Sequence, residues 1–334
     1  MTRAATVARG VASSTHESSA AFLKRLVGGA YTTARTLDGG AERGAVRGIL
    51  LLDDHVARIA DGAAASIRRH GGAAALAAEP PLASDWVRSE MILMARVGCD
   101  ALDALNEHGA SVGAVKLTWT LVPPESGAAP SPRDLHMHVA ALPLRRAPPI
   151  VVVAPPVSAV RSNPLFKDTA WIDERRSLEQ LMQGPCGGAA AAEEVLLVDA
   201  SGGVLEGTQT NFFALDAAGC VVTAGDGVLE GTVRRLVLEV CEAEGIPLEL
   251  RAPRLCEHAS WEGAFIGSTS RLVMPIDAID DRSASGGAGS GGEGALHEYR
   301  RGHPTIARIE RLVEERARAS CTLITDDDVD LACF

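Results

Sequence analysis

The sequence is poor in lysine. Of its 32 basic residues only three, Lys24, Lys116 and Lys167, are lysine. Arginine stays protonated at any biological pH, so it supplies surface charge but not a neutral amine. Only a primary amine can lose its proton and condense with an aldehyde to form a Schiff base. Each lysine that this arginine-rich chain retains is therefore a candidate for amine chemistry, and composition alone does not choose among the three.

The chain also lacks the features of several protein classes. Its net charge is -11, and no basic stretch carries interleaved aromatic residues, which argues against a nucleic-acid partner. No apolar run approaches the roughly 20 residues that span a bilayer, so no membrane is expected as a partner either. The 7 cysteines are scattered and form no C-x-x-C pair. This pattern indicates reduced thiols in a reducing compartment rather than a disulfide framework or a metal site.

The N-terminal segment can be interpreted in two ways. Its first 25 residues are rich in Arg, Ser, Thr and Ala and nearly free of acid, which is the composition of an organellar transit peptide. We expect instead an opening strand followed by a short helix, and hence a cytoplasmic protein. A plastid or mitochondrial location is the alternative if residues 1–20 act as a transit peptide.

Hydrophobic patterning predicts the elements of the first half. "AYTTARTL" is strand-like, and a helix follows in "DDHVARIADGAAASI", where Val56, Ile59 and Ala63 recur at helical spacing. "AVKLTWTLV", "DLHMHVAALP" and "PIVVVAPP" predict an antiparallel sheet with one wet face. The proline-containing segment 154–165 predicts an interdomain linker between a smaller domain at residues 1–153 and a larger one that starts at residue 166.

The second half, residues 166–334, combines strands and helices. We expect a helix over 168–183, hairpin turns at "DASGG" and "DAAG", one strand at "GAFIGSTSRLVMPI" and a flexible loop over 277–295. The clearest helix lies in "GTVRRLVLEVCEAEGIP", with Thr232 as a suitable N-cap and Gly245 at its C-terminal stop. A last helix is predicted over roughly 305–318.

Three motifs in order carry a family resemblance: "LEGTQTNFF", "GVLEGTVRR" and "AFIGSTSRLVMPI". Together with "AYTTAR" and "DHVARI" upstream, they resemble the class IV, or fold-type IV, aminotransferases. That family uses pyridoxal phosphate and includes branched-chain and D-amino-acid aminotransferases and aminodeoxychorismate lyase. The resemblance covers roughly residues 28–276. It implies an α+β architecture of two domains, namely a smaller N-terminal α/β sandwich and a larger C-terminal, cofactor-binding domain with a β-barrel-like sheet and flanking helices.

The resemblance also implies roles for individual residues. Pyridoxal phosphate needs a lysine for its aldehyde, an acid for its ring nitrogen and an anion cradle for its phosphate. The lysine falls at Lys167, which would also be the general base, and the acid falls at Glu206. The implied phosphate ligands are Arg58, Thr232, Val233, Ser268 and Thr269.

Substrate contacts are implied at four residues of the first domain, which are Tyr31, Arg35, His136 and His138. The two histidines share one face of "DLHMHV", where some relatives hold an Arg and a His that bind the substrate carboxylate. No Arg occurs at this pair of positions in the present chain. A structural histidine whose ring nitrogens are satisfied is the alternative interpretation for each.

The sequence departs from the family pattern close to the predicted lysine. Lys167 and Glu206 are 206 − 167 = 39 residues apart, several more than in relatives. Trp171 and Ile172 stand where relatives carry polar groups, which leaves Thr169 as a candidate to hold the ring hydroxyl. These departures indicate a substrate other than that of the best-known family members.

Three functions remain open from the sequence. The first is an aminotransferase that acts on an unidentified amino acid and 2-keto acid, its small-molecule partners. The second is a lyase of the aminodeoxychorismate type on the same fold, and the third is a non-catalytic relative. The resemblance implies a homodimer in each case.

Overall fold

The computed structural model describes most of the chain, and the structural statements below concern the described residues. These are residues 3–37, 47–70, 84–105, 112–122, 124, 130–145, 147–155, 157–158, 160–161, 163–183, 192–282 and 295–324. Most of the predicted flexible loop, residues 283–294, lies outside them.

The chain divides into two compact units. Unit 1 comprises Met1–Pro143, Phe166–Asp173 and Ala317–Phe334, and unit 2 comprises Leu144–Leu165 and Glu174–Arg316. Lys167 therefore belongs to the same unit as the first 143 residues. Each unit has its own hydrophobic core.

Unit 1 is built on a five-stranded antiparallel sheet in the order β2-β1-β6-β5-β3. Its strands are β1 (Ala4–Ala8), β2 (Val11–Thr15), β3 (Ala30–Arg35), β5 (Val115–Leu121) and β6 (Leu135–Ala141). Two short strands, β4 (Gly48–Leu50) and β17 (Cys321–Leu323), pair separately. Its helices are α1 (Ser19–Arg25), α2 (Leu52–His70) and α3 (Ser84–Ala104).

The two faces of this sheet are covered by different helices. Trp119 and Met137 pack with Ile59 of α2 and Met91 of α3 in the main core of the unit. The shorter α1 supplies Phe22 and Leu23 to a second cluster, which also contains Tyr31 and Ile172. The predicted wet face is only partly present: Thr118 and Thr120 of β5 are fully buried, whereas Lys116 and His136 on the same face are partly exposed.

The N-terminal segment forms part of the unit 1 sheet. The predicted strand and short helix are confirmed, although the strand segment is a hairpin of β1 and β2 that precedes α1. Ala4, Ala5 and Val7 are buried, and β1 lies between β2 and β6. These residues therefore contribute side chains to the core.

Unit 2 contains a ten-stranded sheet of mixed direction. Eight strands follow the order β12-β11-β10-β9-β8-β7-β15-β16, and β13 joins β10 to β14. The strands are β7 (Val151–Ala154), β8 (Glu194–Val198), β9 (Val204–Gly207), β10 (Asn211–Leu215), β11 (Val221–Thr223), β12 (Leu248–Leu250), β13 (Gly263–Ser268), β14 (Leu272–Ile276), β15 (Ala278–Asp281) and β16 (Ala295–Glu298). The remaining helices of the chain are α4 (Trp171–Glu174), α5 (Arg176–Glu179), α6 (Thr232–Ala243) and α7 (Pro304–Ala319).

The prediction that β7 joins β5 and β6 in one antiparallel sheet is wrong. β7 runs parallel to β8 and to β15 in the sheet of unit 2. All four of its residues are buried. A continuous apolar run of this kind is typical of a central strand in a parallel arrangement, covered on both faces.

Three local predictions in the second half also need correction. The helix predicted over 168–183 is broken into α4, α5 and a 3₁₀ turn. "GAFIGSTSRLVMPI" is a hairpin of β13 and β14 rather than one strand. Thr232 is the first helical residue of α6, and Gly231 occupies the N-cap. The predicted stop at Gly245, where φ is +63°, and the last helix are confirmed.

Candidate active site

The segment that carries Lys167 pairs with the edge of the unit 1 sheet. The Tyr31 N–H donates to the Lys167 carbonyl oxygen at 2.8 Å, and the Thr169 N–H donates to the Gly29 carbonyl oxygen at 3.1 Å. Asp168 forms an isolated antiparallel bridge with Ala30. Because β3 is an edge strand, its backbone groups are open to such pairing. This pairing fixes the backbone of Lys167 and explains why a helix cannot begin at residue 168.

Around Lys167 the structure assembles a cationic and aromatic environment. Its Nζ atom lies 5.5 Å from the centre of the buried Tyr31 ring. Lys167 and Arg58 of α2 both act electrostatically on His55, so both lie near this imidazole. An amine beside an aromatic face and a second cation is held where an anionic aldehyde could approach it.

His55 is a buried histidine that the sequence prediction did not select. Burial, with Arg58 and Lys167 beside it, holds its pKa well below the usual value. Its Nδ1 atom lies 2.7 Å from the Thr32 hydroxyl, and its Nε2 atom has no hydrogen-bond partner among the described residues. The imidazole is therefore neutral at physiological pH and adds no third positive charge to this region.

Glu206 of β9 is a buried carboxylate with a fixed orientation. Its side chain is 2% exposed, and its Oε1 atom lies 3.3 Å from Nε of the buried Arg161. Its Oε2 atom accepts a hydrogen bond of 3.1 Å from the Leu229 N–H. An ionised carboxylate survives burial only with such partners.

The peptide of Leu229 is held from two sides. Its N–H donates to Glu206, and its carbonyl oxygen accepts a 2.8 Å hydrogen bond from Nδ2 of Asn211. Glu206 and Asn211 are cross-strand partners in the β9–β10 hairpin. Because Leu229 precedes the N-cap Gly231 by two residues, the buried acid and the start of α6 are fixed to one another.

The N-terminus of α6 brings together residues predicted as phosphate ligands. The Thr232 and Thr269 hydroxyls lie 3.2 Å apart, and Ser268 ends β13 beside Thr269. Backbone N–H groups in the first turn of a helix have no intrahelical acceptor, and the helix dipole is positive there. Hydroxyl groups and free N–H groups at a helix N-terminus suit a phosphate dianion.

A second buried carboxylate, Glu194 of β8, organises the hairpin that carries Glu206. It accepts hydrogen bonds from the N–H groups of Thr208 and Gln209 and from the hydroxyls of Thr208 and Thr210. These residues form the turn between β9 and β10. Glu194 therefore fixes the turn between the two strands that carry Glu206 and Asn211.

Two of the predicted residues, Thr169 and His138, have contacts that support structural roles. Thr169 donates its hydroxyl hydrogen to the Leu26 carbonyl oxygen at 3.0 Å. His138 lies 3.0 Å from the Glu17 carbonyl oxygen through Nε2 and packs against Phe22. His136 is its neighbour on the same face of β6, and burial lowers the pKa of both imidazoles. The contacts of His138 fit the structural alternative, and its role toward a substrate stays a prediction, as does that of Arg35.

Sequence reasoning missed Arg161, Glu194, His55 and Asn211. The motif "TNFF" contained Asn211 and could have drawn attention to it. Arg161 and Glu194 lie outside the motifs quoted for the family, and only the folded chain brings them to Glu206 and its turn. Among the described residues, no cluster of three or more His, Cys, Asp or Glu side chains could hold a metal ion. No helix in the described ranges is long and apolar enough to cross a membrane.

Comparison with known proteins assigns the family. Residues 29–279 match the model of the family described as "Amino-transferase class IV". The match spans most of the chain, and the protein belongs to this family. The family resemblance inferred from the motifs is thus confirmed.

Individual relatives agree with this assignment. The chain is 33% identical to the D-alanine aminotransferase of Bacillus licheniformis over 104 residues, which is 30% of this chain and 35% of that protein. The match therefore spans about a third of the curated relative. The fold of the present protein is similar to that of a structure described as a branched-chain amino acid aminotransferase from Thermotoga maritima. The sequence identity is 19%, the TM-score is 0.61, and the match covers 94% of this chain and 96% of that one. The present protein is equally similar to a hypothetical aminotransferase from Mycobacterium tuberculosis in a pyridoxal-phosphate-bound form, with 19% identity, a TM-score of 0.60 and coverage of 95% and 99%. These likenesses confirm the fold class.

Proposed function

We propose that this protein is a pyridoxal-phosphate-dependent aminotransferase that moves an amino group between an amino acid and a 2-keto acid. The observation that carries the proposal is the fixed link between Glu206 and the N-terminus of α6 through the Leu229 peptide. An acid for a heterocyclic nitrogen and a cradle for a phosphate are the two fixed ends that this cofactor requires.

The residues of unit 2 fit the cofactor's chemistry. Gly231, at the N-cap of α6, has no side chain, and a Cβ atom there would clash with Oδ1 of Asn211. Glycine at this position therefore lets Asn211 pack against the N-cap, and the N–H groups of the first turn of α6 suit a phosphate. Thr232 and Thr269 add hydroxyls, and Glu206 supplies the anionic oxygen for a protonated ring nitrogen.

The proposal assigns the other roles to residues of unit 1. When bound, pyridoxal phosphate supplies an aldehyde that exchanges amines and a ring that accepts electrons from the substrate's α carbon. Lys167 would provide the amine and then move the proton from the α carbon. Arg58 would bind phosphate oxygens, and Tyr31 would line the site beside Lys167.

Transamination is favoured over the lyase alternative because the relatives described above are named aminotransferases. Both D-alanine and branched-chain enzymes occur among them. The proposal therefore specifies the reaction, transamination, and does not specify whether the substrate is an L- or a D-amino acid. The buried acid and the phosphate cradle argue against a relative that has lost its cofactor site.

Spectroscopy of the purified protein with added pyridoxal phosphate tests the proposal. We expect a visible absorption band that Lys167→Ala abolishes and that Lys24→Ala and Lys116→Ala leave in place. Borohydride should bleach the band and attach the cofactor to the peptide that contains residue 167, as read by mass spectrometry. Absence of the band from the wild-type protein would overturn the proposal.

A panel of L- and D-amino acids then separates the two enzyme reactions. An aminotransferase converts the cofactor to its pyridoxamine form and releases the matching 2-keto acid, whereas a lyase of the aminodeoxychorismate type releases pyruvate and an aromatic amine. The proposal includes the homodimer implied by the family, which sedimentation equilibrium of the wild-type protein checks directly.

A further inference from the structure

We propose that Arg161 is a positioning residue that keeps Glu206 ionised and oriented in the folded protein, before any cofactor binds. The inference rests on the proposed function for its catalytic meaning, because Glu206 is the acid assigned to the ring nitrogen. Arg161 lies in the segment that precedes Lys167 and was predicted only as part of a linker.

The geometry places positive charge on one oxygen of Glu206 and an N–H group on the other. Nε of Arg161 lies 3.3 Å from Oε1, and the Leu229 N–H donates to Oε2 at 3.1 Å. The side chains of Arg161 and Glu206 are 4% and 2% exposed, so water does not screen the pair. Arg161 therefore places a positive charge directly beside the buried carboxylate of Glu206.

Arg234 of α6 also acts electrostatically on Glu206, but its hydrogen bond goes to another group. It donates through Nη2 to the Ala224 carbonyl oxygen at 2.9 Å. Burial lowers the pKa of its guanidinium. The nearby acids Glu230, Glu206 and Asp226 act to raise this pKa and so oppose part of the shift. Arg234 therefore adds positive potential, while Arg161 makes the ion pair.

The charge of Glu206 decides which hydrogen bond it can make. An ionised carboxylate accepts a hydrogen bond from a protonated ring nitrogen, whereas the O–H group of a protonated carboxyl donates to an unprotonated nitrogen. A buried carboxyl group without a cation favours its neutral form. Because arginine does not lose its proton in proteins, Arg161 holds the ionised form at every physiological pH.

The test uses the cofactor-free protein and measures urea unfolding from pH 5 to pH 8. In Arg161→Met, we expect Glu206 to stay protonated in the folded state. In the unfolded chain, the same side chain is ionised above about pH 4.3. The variant should then lose stability relative to wild type as pH rises. We expect its unfolding constant to increase about tenfold per pH unit, relative to wild type, until Glu206 ionises.

Companion variants separate this role from packing. Arg161→Lys keeps the charge and should remove the pH trend. Arg161→Met combined with Glu206→Gln should also remove it, because the titrating group is gone. Arg235→Met, which breaks the exposed pair with Glu239, should show no trend. If Arg161→Met does not fold, Arg161→Gln takes its place, since it is neutral but retains a hydrogen-bond donor.

The inference is overturned if the penalty of Arg161→Met is the same at every pH, or if its pH trend survives Glu206→Gln. A pyridoxal phosphate titration adds the catalytic meaning: Arg161→Met should bind the cofactor at least about tenfold more weakly at pH 8, since one ion pair is lost at the ring nitrogen. A pH trend in the cofactor-free protein without cofactor binding by wild type would contradict the proposed function and leave the Arg161–Glu206 pair in place.

Discussion

Gly231 shows how one missing side chain shapes the candidate phosphate site. Its φ and ψ angles of -64° and 141° suit any residue, so its glycine is not required by backbone conformation. The requirement is space, because a Cβ atom at this position would clash with Oδ1 of Asn211. Asn211 cannot retreat without giving up its hydrogen bond to the Leu229 carbonyl oxygen.

Gly231→Ala should therefore destabilise the protein by roughly 1–3 kcal/mol, the usual cost of overpacking. In an Asn211→Ala background the obstacle is gone, and the cost of the same alanine should fall to less than half. Denaturant unfolding of the wild type, the two single variants and the double variant measures the coupling. Additive penalties would show that the two side chains do not compete for this space.

The residues of the candidate site differ in how far the sequence could predict them. Lys167, Glu206 and Thr232 lie in motifs, and their family roles stay predictions that the proposed experiments test. Arg161 lies 206 − 161 = 45 residues before its partner Glu206, in a segment without a motif. A long-range ion pair of this kind follows from the packing of the chain and leaves no periodic signal in the sequence.

At the scale of elements, β1 and β2 decide how the N-terminal segment is interpreted. Val7 of β1 is fully buried, whereas Val11 of β2 is 66% exposed. The two valines lie in paired strands, four residues apart. Substituting each valine by alanine therefore compares a buried with an exposed position and tests whether the first strand belongs to the core.

Val7→Ala should lower the free energy of unfolding by roughly 2 kcal/mol, because it removes buried methyl groups and leaves a cavity. Val11→Ala, with the same chemistry on an exposed site, should change it by less than about 0.5 kcal/mol. Thermal and urea unfolding of both variants give the comparison. Equal effects would mean that β1 does not pack as the structure describes.

Helices with a clear apolar stripe were predicted well, and elements defined by their partners were not. The stripe of α6 and the stop at Gly245 are local signals, so the sequence contains them. The start of the helix predicted over 168–183 is lost because Asp168 and Thr169 pair with the edge of β3. Likewise, β7 joins the sheet of unit 2 through parallel partners distant in sequence, which a strand's own residues do not specify.

At the scale of the whole molecule, buried histidines contribute to the response to acid. Among the described residues, burial lowers the pKa of four histidines: His55, His136, His138 and His297. For His55 the nearby charges of Arg58 and Lys167 lower it further. In the unfolded chain these imidazoles return to a pKa near 6.5.

The direction of the resulting pH dependence follows from proton binding. Below about pH 6.5 these histidines bind protons in the unfolded chain but not in the folded protein. The stability is therefore fully present above that pH and declines as pH falls. Each such histidine adds a slope of about 1.4 kcal/mol per pH unit until its folded pKa is reached. For His55, whose pKa is lowered well below the usual value, this decline extends furthest toward acid.

We expect His55→Gln to make the free energy of unfolding depend less steeply on pH, by the contribution of about one proton. The same variant should be less stable at neutral pH, because it loses the contact with Thr32. His136→Gln, at a half-buried position, should flatten the pH dependence over a narrower range just below pH 6.5. Urea unfolding at half-unit steps from pH 7.5 to pH 5 measures both slopes. An unchanged slope in His55→Gln would mean that its imidazole accepts a proton in the folded protein, and that the cations around it lie farther away than the structure places them.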